Sequence, residues 1–251
     1  MWLTLLSLAA WAYDPAHADL AAFLDGAVRG RTVDYPLLAT RRPLLDGWLA
    51  GVAGPLALPP DEALALWIDA YNALSIQLVL DAPAGARSLR DLDGGQVWTT
   101  RTFAVAGERL TLDALEGRAR ARRDPRVHAA LVCASAGCPA LSPAPYQAAR
   151  LDQQLDAAAQ AWTRDGAVRP SADGRLLFSE IFRWYVADFA AGAVDIPGAD
   201  PAIDGAVGFL VRHGPPAWAS LAIRPDTPLG WDPYDWAFNG PRPPPADARQ
   251  P

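Results

Sequence analysis

The chain contains no lysine. All 22 of its basic residues are arginine, they face 28 carboxylates, and the formal net charge is −6. The arginines are scattered except for Arg118, Arg120, Arg122 and Arg123. A nucleic-acid-binding chain needs a basic face or stripe, so that class of partner receives no support. The short basic run reads as a solvated helix face or C-terminal turn. Missing lysine beside abundant Ala, Arg and Pro reads as coding bias and carries no functional information. Histidine is scarce, with His17, His128 and His213, and cysteine scarcer, with Cys133 and Cys138. Beyond the N-terminus no stretch approaches about 18 uninterrupted apolar residues, so no transmembrane helix is expected once a leader is removed. No internal repeat is present, and no residue set calls for a cofactor. At 251 residues, 51% apolar and 20% charged, the composition is that of an ordinary globular chain of one large or two small domains.

What is present begins with an apolar N-terminus, Met1-Trp-Leu-Thr-Leu-Leu-Ser-Leu-Ala-Ala10-Trp11-Ala12. It ends in a small-x-small triplet followed by the polar Tyr13-Asp14-Pro15, as a cleaved export signal does. It lacks the usual basic n-region and is short, which fits the alternative of a first helix. Residues 1–12 are read as a signal peptide and the location as periplasmic or secreted. Residues from Pro241 onward are Pro-rich and are read as a disordered tail.

Between them, helical spacing runs over 15–29, and Pro36 opens a second helix to about Ala50. Pro59-Pro60-Asp61-Glu62 starts a third, the most apolar, to about Leu80. Residues 101–112 alternate about Gly107-Glu108 as a hairpin, after which Asp113 caps a short helix. Residues 128–132 are strand or buried helix, which periodicity cannot decide. An amphipathic helix covers 145–162. A second hairpin turns at Asp173-Gly174. Ser179 caps a helix rich in aromatics, and another covers 201–213. The expected fold is one helix-rich α+β domain over 13–240 with small antiparallel β-hairpins.

The chemistry concentrates in residues 127–141, which hold both thiols, His128, Ser135 and a small-residue loop closed by Pro139. Cys133 reads either as a nucleophilic thiolate or as half of a Cys133–Cys138 disulfide, which a five-residue separation allows. A five-residue offset puts His128 and Cys133 on different faces of strand or helix alike. The base would then be His128 brought round by a bend, His17 or His213 folded nearby, or Glu116. His128 reads equally as a buried, hydrogen-bonded imidazole. His-x4-Cys-x4-Cys lacks structural-zinc spacing, and no metal is expected. Tyr71 and the mid-helix amide Asn72 support the site or tie helices together; Asn72 is expected within reach of the Cys133 loop. Asp235 is a turn residue or a charge aimed at the site.

Four segments resemble the domain of unknown function 547 (DUF547) family. Leu66-Trp67-Ile68-Asp69-Ala70-Tyr71-Asn72-Ala73-Leu74-Ser75-Ile76 is similar to its FWINAYNALTI block. Asp124-Pro-Arg-Val-His128-Ala-Ala-Leu-Val-Cys133-Ala-Ser135-Ala-Gly-Cys138-Pro139 is similar to DPRIHFALNCAS-x-SCPPL. Leu177-Phe-Ser179-Glu-Ile181-Phe182-Arg-Trp184-Tyr185-Val-Ala-Asp188-Phe189 and Tyr234-Asp235-Trp236-Ala-Phe-Asn239 match its later blocks in order. The resemblance implies a family, with no reaction attached. The chain departs from it at Gly117, where the family often has His after Glu, and at Asp69 and Val132, where it often has Asn.

Three functions fit these residues. The first is an exported cysteine-dependent hydrolase or acyltransferase, with Cys133 as nucleophile, Ser135 and loop N–H groups holding an oxyanion, and an unidentified small molecule or peptide as ligand. The second is a non-catalytic binding module with a Cys133–Cys138 disulfide and a groove lined by Trp67, Trp184 and Trp236. The third is a thiol–disulfide redox protein, despite a spacing unlike Cys-x-x-Cys.

Overall fold

The structure is a computed structural model that describes residues 13–242; the expected leader, 1–12, and residues 243–251 of the expected tail lie outside the described residues. Its organising element is the helix Pro60–Asp81. The helix opens with Pro60 and with Asp61 and Glu62 in its first turn, which suits the orphan N–H groups and the positive end of the dipole. From Leu64 to Val79 nearly every residue is buried, on every face. It is therefore a core helix without a polar face, and its membrane-like length and apolarity reflect that burial.

In chain order the helices are α1 (Ala18–Leu24), α2 (Tyr35–Thr40), α3 (Arg42–Gly51), α4 (Pro60–Asp81), α5 (Val97–Thr100), α6 (Leu112–Arg120), α7 (Leu151–Asp165), α8 (Ile181–Trp184), α9 (Val186–Phe189), α10 (Pro201–His213) and α11 (Pro216–Ala222). Two antiparallel hairpins, β1 (Val28–Arg29) with β2 (Thr32–Val33) and β3 (Phe103–Val105) with β4 (Glu108–Leu110), flank the first half. A three-stranded sheet orders β5 (Val168–Pro170), β6 (Leu176–Ser179) and β7 (Leu229–Asp232), with β5 antiparallel and β7 parallel to β6. The fold is helix-rich α+β.

Side chains gather into two apolar clusters. One surrounds α4 and takes in α1, α2, α3 and α6. The other is aromatic, built on Trp162, Phe182, Phe189 and Phe209 from α7 to α10; Trp162 and Phe182 stack with centroids 4.9 Å apart. The segment 127–134 runs along the seam, with Ala129 in the aromatic cluster and Ala130 in the other.

Several local expectations needed the tertiary structure. The helix expected over 15–29 ends at Leu24, because the chain turns back into the β1–β2 hairpin. The one expected over 36–50 divides at Arg41, whose φ of −107° and ψ of 14° are not helical; Pro43 in the first turn of α3 has no N–H to continue α2. Thr111, and not Asp113, caps α6: its hydroxyl accepts from the Ala114 N–H. The helix expected from Pro145 starts at Leu151, since Gln154 ties down Gln147 N–H and the Pro145 carbonyl ahead of it. Residues 128–132 are neither strand nor α-helix; a 3-10 turn, Pro125–Ala129, leads into irregular backbone.

Buried irregular backbone needs partners for its polar groups. Asn72 provides them: its Nδ2 donates to the Ala130 carbonyl at 2.9 Å and its Oδ1 accepts from Val132 N–H at 2.8 Å. One turn earlier, buried Asp69 accepts from Tyr146 N–H at 3.0 Å and lies 3.2 Å from His17 Nδ1, and burial pushes its carboxyl up to about 6. Further on, Arg242 donates to the carbonyls of Pro83 and Ala86.

Replacing Asn72 by Leu strands two buried backbone groups. We expect Asn72→Leu to lower unfolding stability by about 2–4 kcal/mol in urea titration. A loss below about 0.5 kcal/mol would mean that the 130–132 backbone is satisfied without it.

Candidate functional site

Cys133 lies at the end of the segment that Asn72 holds. Ala134 next to it takes a left-handed φ of 61°, an unusual conformation for a residue with a Cβ. The turn this starts folds Cys138 back on Cys133, so that the sulfurs are 2.7 Å apart, against ~2.05 Å in a disulfide bond. Both are free thiols. The disulfide of the binding-module reading is thus absent, although the loop has the shape to bring the sulfurs together. Cys133 N–H donates to Cys138 Sγ at 3.0 Å. Ser135 Oγ lies 3.4 Å from Cys133 Sγ, and the Tyr234 hydroxyl lies 3.3 Å from Cys133 Sγ and 3.0 Å from Cys138 Sγ.

The loop is laced to the closing segment of the chain. Ala136 N–H donates to Ala237 O, Gly137 N–H to Asp235 O and Asn239 N–H to Ala134 O. Position 137 must be glycine for this approach: a Cβ there would sit 2.8 Å from the Tyr234 ring. On the other side Arg31 donates to the carbonyls of Ala136 and Cys138, at 2.5 and 3.0 Å.

The two thiols are electrostatically unequal. Cys138 is almost fully buried, and burial holds its pKa well above the ordinary thiol range. It therefore keeps its proton and donates to Cys133. That hydrogen bond, helped by Ser135 and Tyr234 and opposed by burial, brings the Cys133 thiol down to about 7.

Cys133 opens into a cavity of about 240 Å³ in the seam between the two clusters. Its walls are aromatic: Tyr71 from α4, Trp98 from α5, Trp184 and Tyr185 around the α8–α9 break, and Tyr234 and Trp236 from the closing segment. Trp184 stacks on Trp236 with centroids 5.4 Å apart. Leu131 and Ile181 add aliphatic surface, and Asp113, Glu116 and His128 are the ionisable groups besides the thiols. His128 Nε2 is 2.8 Å from Asp188 Oδ2, and its ring packs 4.4 Å from Tyr185 and 5.1 Å from Phe189, centroid to centroid. His128 and Arg120 hold the Asp188 carboxyl below the usual range. Glu116 is raised by burial and paired with the Tyr185 hydroxyl.

Residues 55–162 match the family model described as "Protein of unknown function, DUF547". This stretch belongs to the DUF547 family. No curated protein and no solved structure matches the chain. The DUF547 segment contributes Tyr71, Trp98, Asp113, Glu116, His128, Cys133 and Cys138 to the cavity; Trp184, Tyr185, Tyr234 and Trp236 come from beyond it.

Of the residues singled out from the sequence, the fold brings Cys133, Cys138, His128, Tyr71 and Glu116 to this one cavity. No imidazole among the described residues is hydrogen-bonded to Cys133. His17 pairs with Asp69, and His213 packs on Phe209 with centroids 4.7 Å apart, so neither lines the cavity. Ser135 is buried behind the thiol and bridges to Phe238. The N–H groups of Ala136, Gly137 and Cys138 are already bonded, to Ala237, Asp235 and Ser135 carbonyls. Those three amides are therefore committed within the loop, and the Ser135 N–H is the loop amide directed at the sulfurs. Asn72 shapes the backbone under the site and does not line it. Asp235 is a turn residue, its carboxylate accepting from Ala237 N–H and its side chain exposed. Trp67 is outside the cavity, under Arg118. Gly117, the expected departure from the family pattern, has open space: a Cβ there meets nothing within 4 Å. Packing does not force that departure. Sequence reasoning assigned no site role to Trp98, Asp113, Tyr234 or Asp188. Tyr234 and Asp188 sit inside the quoted blocks; Trp98 and Asp113 carry no local signal.

Because the thiolate is the reactive form, alkylation of Cys133 by iodoacetamide is expected to rise with a midpoint near pH 7. In Cys138→Ala the largest stabilising contact is gone, and the midpoint should move up toward the ordinary thiol value of about 8.5. Rate–pH profiles with peptide mass mapping decide this; an unmoved midpoint would locate the cause elsewhere.

Proposed function

We propose that Cys133 is the nucleophile of a thiol-dependent acyl-transfer or hydrolysis reaction. The observation that carries this reading is a half-buried thiol, pulled down to about 7 by its neighbours, opening into an aromatic-walled cavity. A thiolate formed this way needs no hydrogen-bonded imidazole to begin the reaction. It attacks a carbonyl carbon bound in the cavity, forming a thioester as the leaving group departs. Water or an acceptor then takes the acyl group and restores the thiolate. The Tyr234 hydroxyl, a lining group 3.3 Å from the sulfur, is assigned to the developing oxyanion. His128, oriented by Asp188, and Glu116 are the lining groups that exchange protons with leaving group and water.

p-Nitrophenyl acetate tests this without knowledge of the substrate. The expected result is a burst of nitrophenolate with an acetyl group on Cys133 by mass mapping, absent in Cys133→Ala. Acetylation confined to other residues, or none in native protein while unfolded protein reacts, overturns the reading.

A second reading, dithiol–disulfide exchange, is favoured by the 2.7 Å sulfur separation and the unequal thiols. Cys133 would attack oxidised glutathione and release one glutathione thiolate. Cys138, giving up its proton, would displace the second and close the ring. Rapid loss of two hydrogens from the pair, with no acetyl transfer to Cys133, would put this reading first.

A further inference from the structure

The cavity around Cys133 has a charge pattern that its thiols do not explain. Its lining contains two carboxylates, Asp113 and Glu116, no arginine, and one imidazole, His128, which is paired with Asp188 outside the lining. Glu116 is answered in part by Arg120, 4.0 Å away, but that guanidinium is committed more closely to Asp188 at 2.6 Å. Asp113, largely exposed in the first turn of α6, has no arginine partner among the described residues, and desolvation alone raises its carboxyl. Arg90 lies over Trp236, 5.0 Å from the ring centre, without joining the lining. Once Cys133 ionises, a further negative charge stands at the base of the cavity. Between these charges the walls are the π-faces and edges of Trp98, Trp184 and Trp236, with Trp184 45% exposed. Trp rings beside the unpaired Asp113 and the partly answered Glu116 attract an organic cation, through the ring quadrupole and through direct charge.

We propose that the cavity takes an acyl compound bearing a cationic nitrogen, primary or quaternary, which sits against the tryptophans and Asp113 while its carbonyl reaches Cys133. The binding half of this proposal stands on the cavity walls, and the carbonyl half rests on the nucleophile reading above. An anionic acyl compound of the same size is disfavoured by the same charges, and a neutral one lacks the attraction.

Three alkylating probes read the charge preference at Cys133 itself: iodoacetate (anionic), iodoacetamide (neutral) and (2-bromoethyl)trimethylammonium (cationic). Each rate is divided by that of the same reagent with 2-mercaptoethanol, a thiol without a second charge, at the same pH. The cationic probe should exceed the anionic one on the order of tenfold, the size of effect that one carboxylate about 6 Å away exerts through water-like screening. Asp113→Asn should reduce the ratio several-fold. An equal or reversed order overturns the cation proposal and leaves Cys133 as nucleophile. Calorimetry on Cys133→Ala with benzyltrimethylammonium and benzyl alcohol needs no thiol. Saturable binding of the cation and not of the alcohol supports the proposal; no binding of the cation overturns it, even where the alkylation rates are equivocal. Failure of every reagent to modify Cys133 removes the nucleophile reading, and the calorimetry then decides the cation site alone.

Discussion

Two hydrogen bonds from Asn72 hold the site in place. A buried amide on an otherwise apolar helix would be expensive without partners, and here it supplies the partners that irregular backbone at Ala130 and Val132 needs. With those two groups satisfied, the chain can leave its 3-10 turn without joining a sheet ladder. It then crosses the seam between the two apolar clusters and delivers Cys133 to the cavity. Neither a strand nor a continued helix would do this, because each would commit the backbone polar groups to a regular neighbour and would fix the side-chain direction.

The second constraint is the closing segment, 234–239. Its carbonyls take the N–H groups of Ala136 and Gly137, and its Asn239 N–H binds Ala134 O. That lacing holds the loop in the shape that sets Cys138 against Cys133, and it places the Tyr234 hydroxyl beside both sulfurs. Arg31 completes the support by binding loop carbonyls from the far side. The activating environment of Cys133 is thus assembled from hydrogen-bond donors. The largest of these contacts to Cys133 comes from Cys138, a thiol that burial keeps protonated. The nearest imidazole of the cavity, His128, is engaged by Asp188.

The cavity also joins two parts of the chain. The DUF547 stretch supplies the thiols, the acids and the imidazole, while the α8–α9 region and the closing segment supply most of the aromatic wall. The break between α8 and α9 at Tyr185, with φ of −120° and ψ of 35°, lets Trp184 and Tyr185 both line the cavity, while Phe182 and Phe189 on either side stay in the aromatic core. A continuous helix there would not hold both arrangements.

The sequence by itself determined the elements whose signals are local and strong. Helix α4 was legible because a Pro-acidic start precedes an unbroken apolar run, and the hairpin at Asp173-Gly174 because its turn residues and alternation agree. The concentration of chemical groups in 127–141, and the reach of Asn72 to the backbone before Cys133, were legible from residue type. Tertiary structure alone decided the conformation of 128–132, since an apolar run fits strand or helix equally and its actual form depends on an amide 58 residues away in the chain. It alone brought the two sulfurs together, because their separation depends on a left-handed Ala134 and on lacing from the closing segment. It alone also assembled the cavity wall. Trp98, Asp113, Trp184 and Tyr234 share no sequence period, and only packing of the two clusters against each other brings them to one opening.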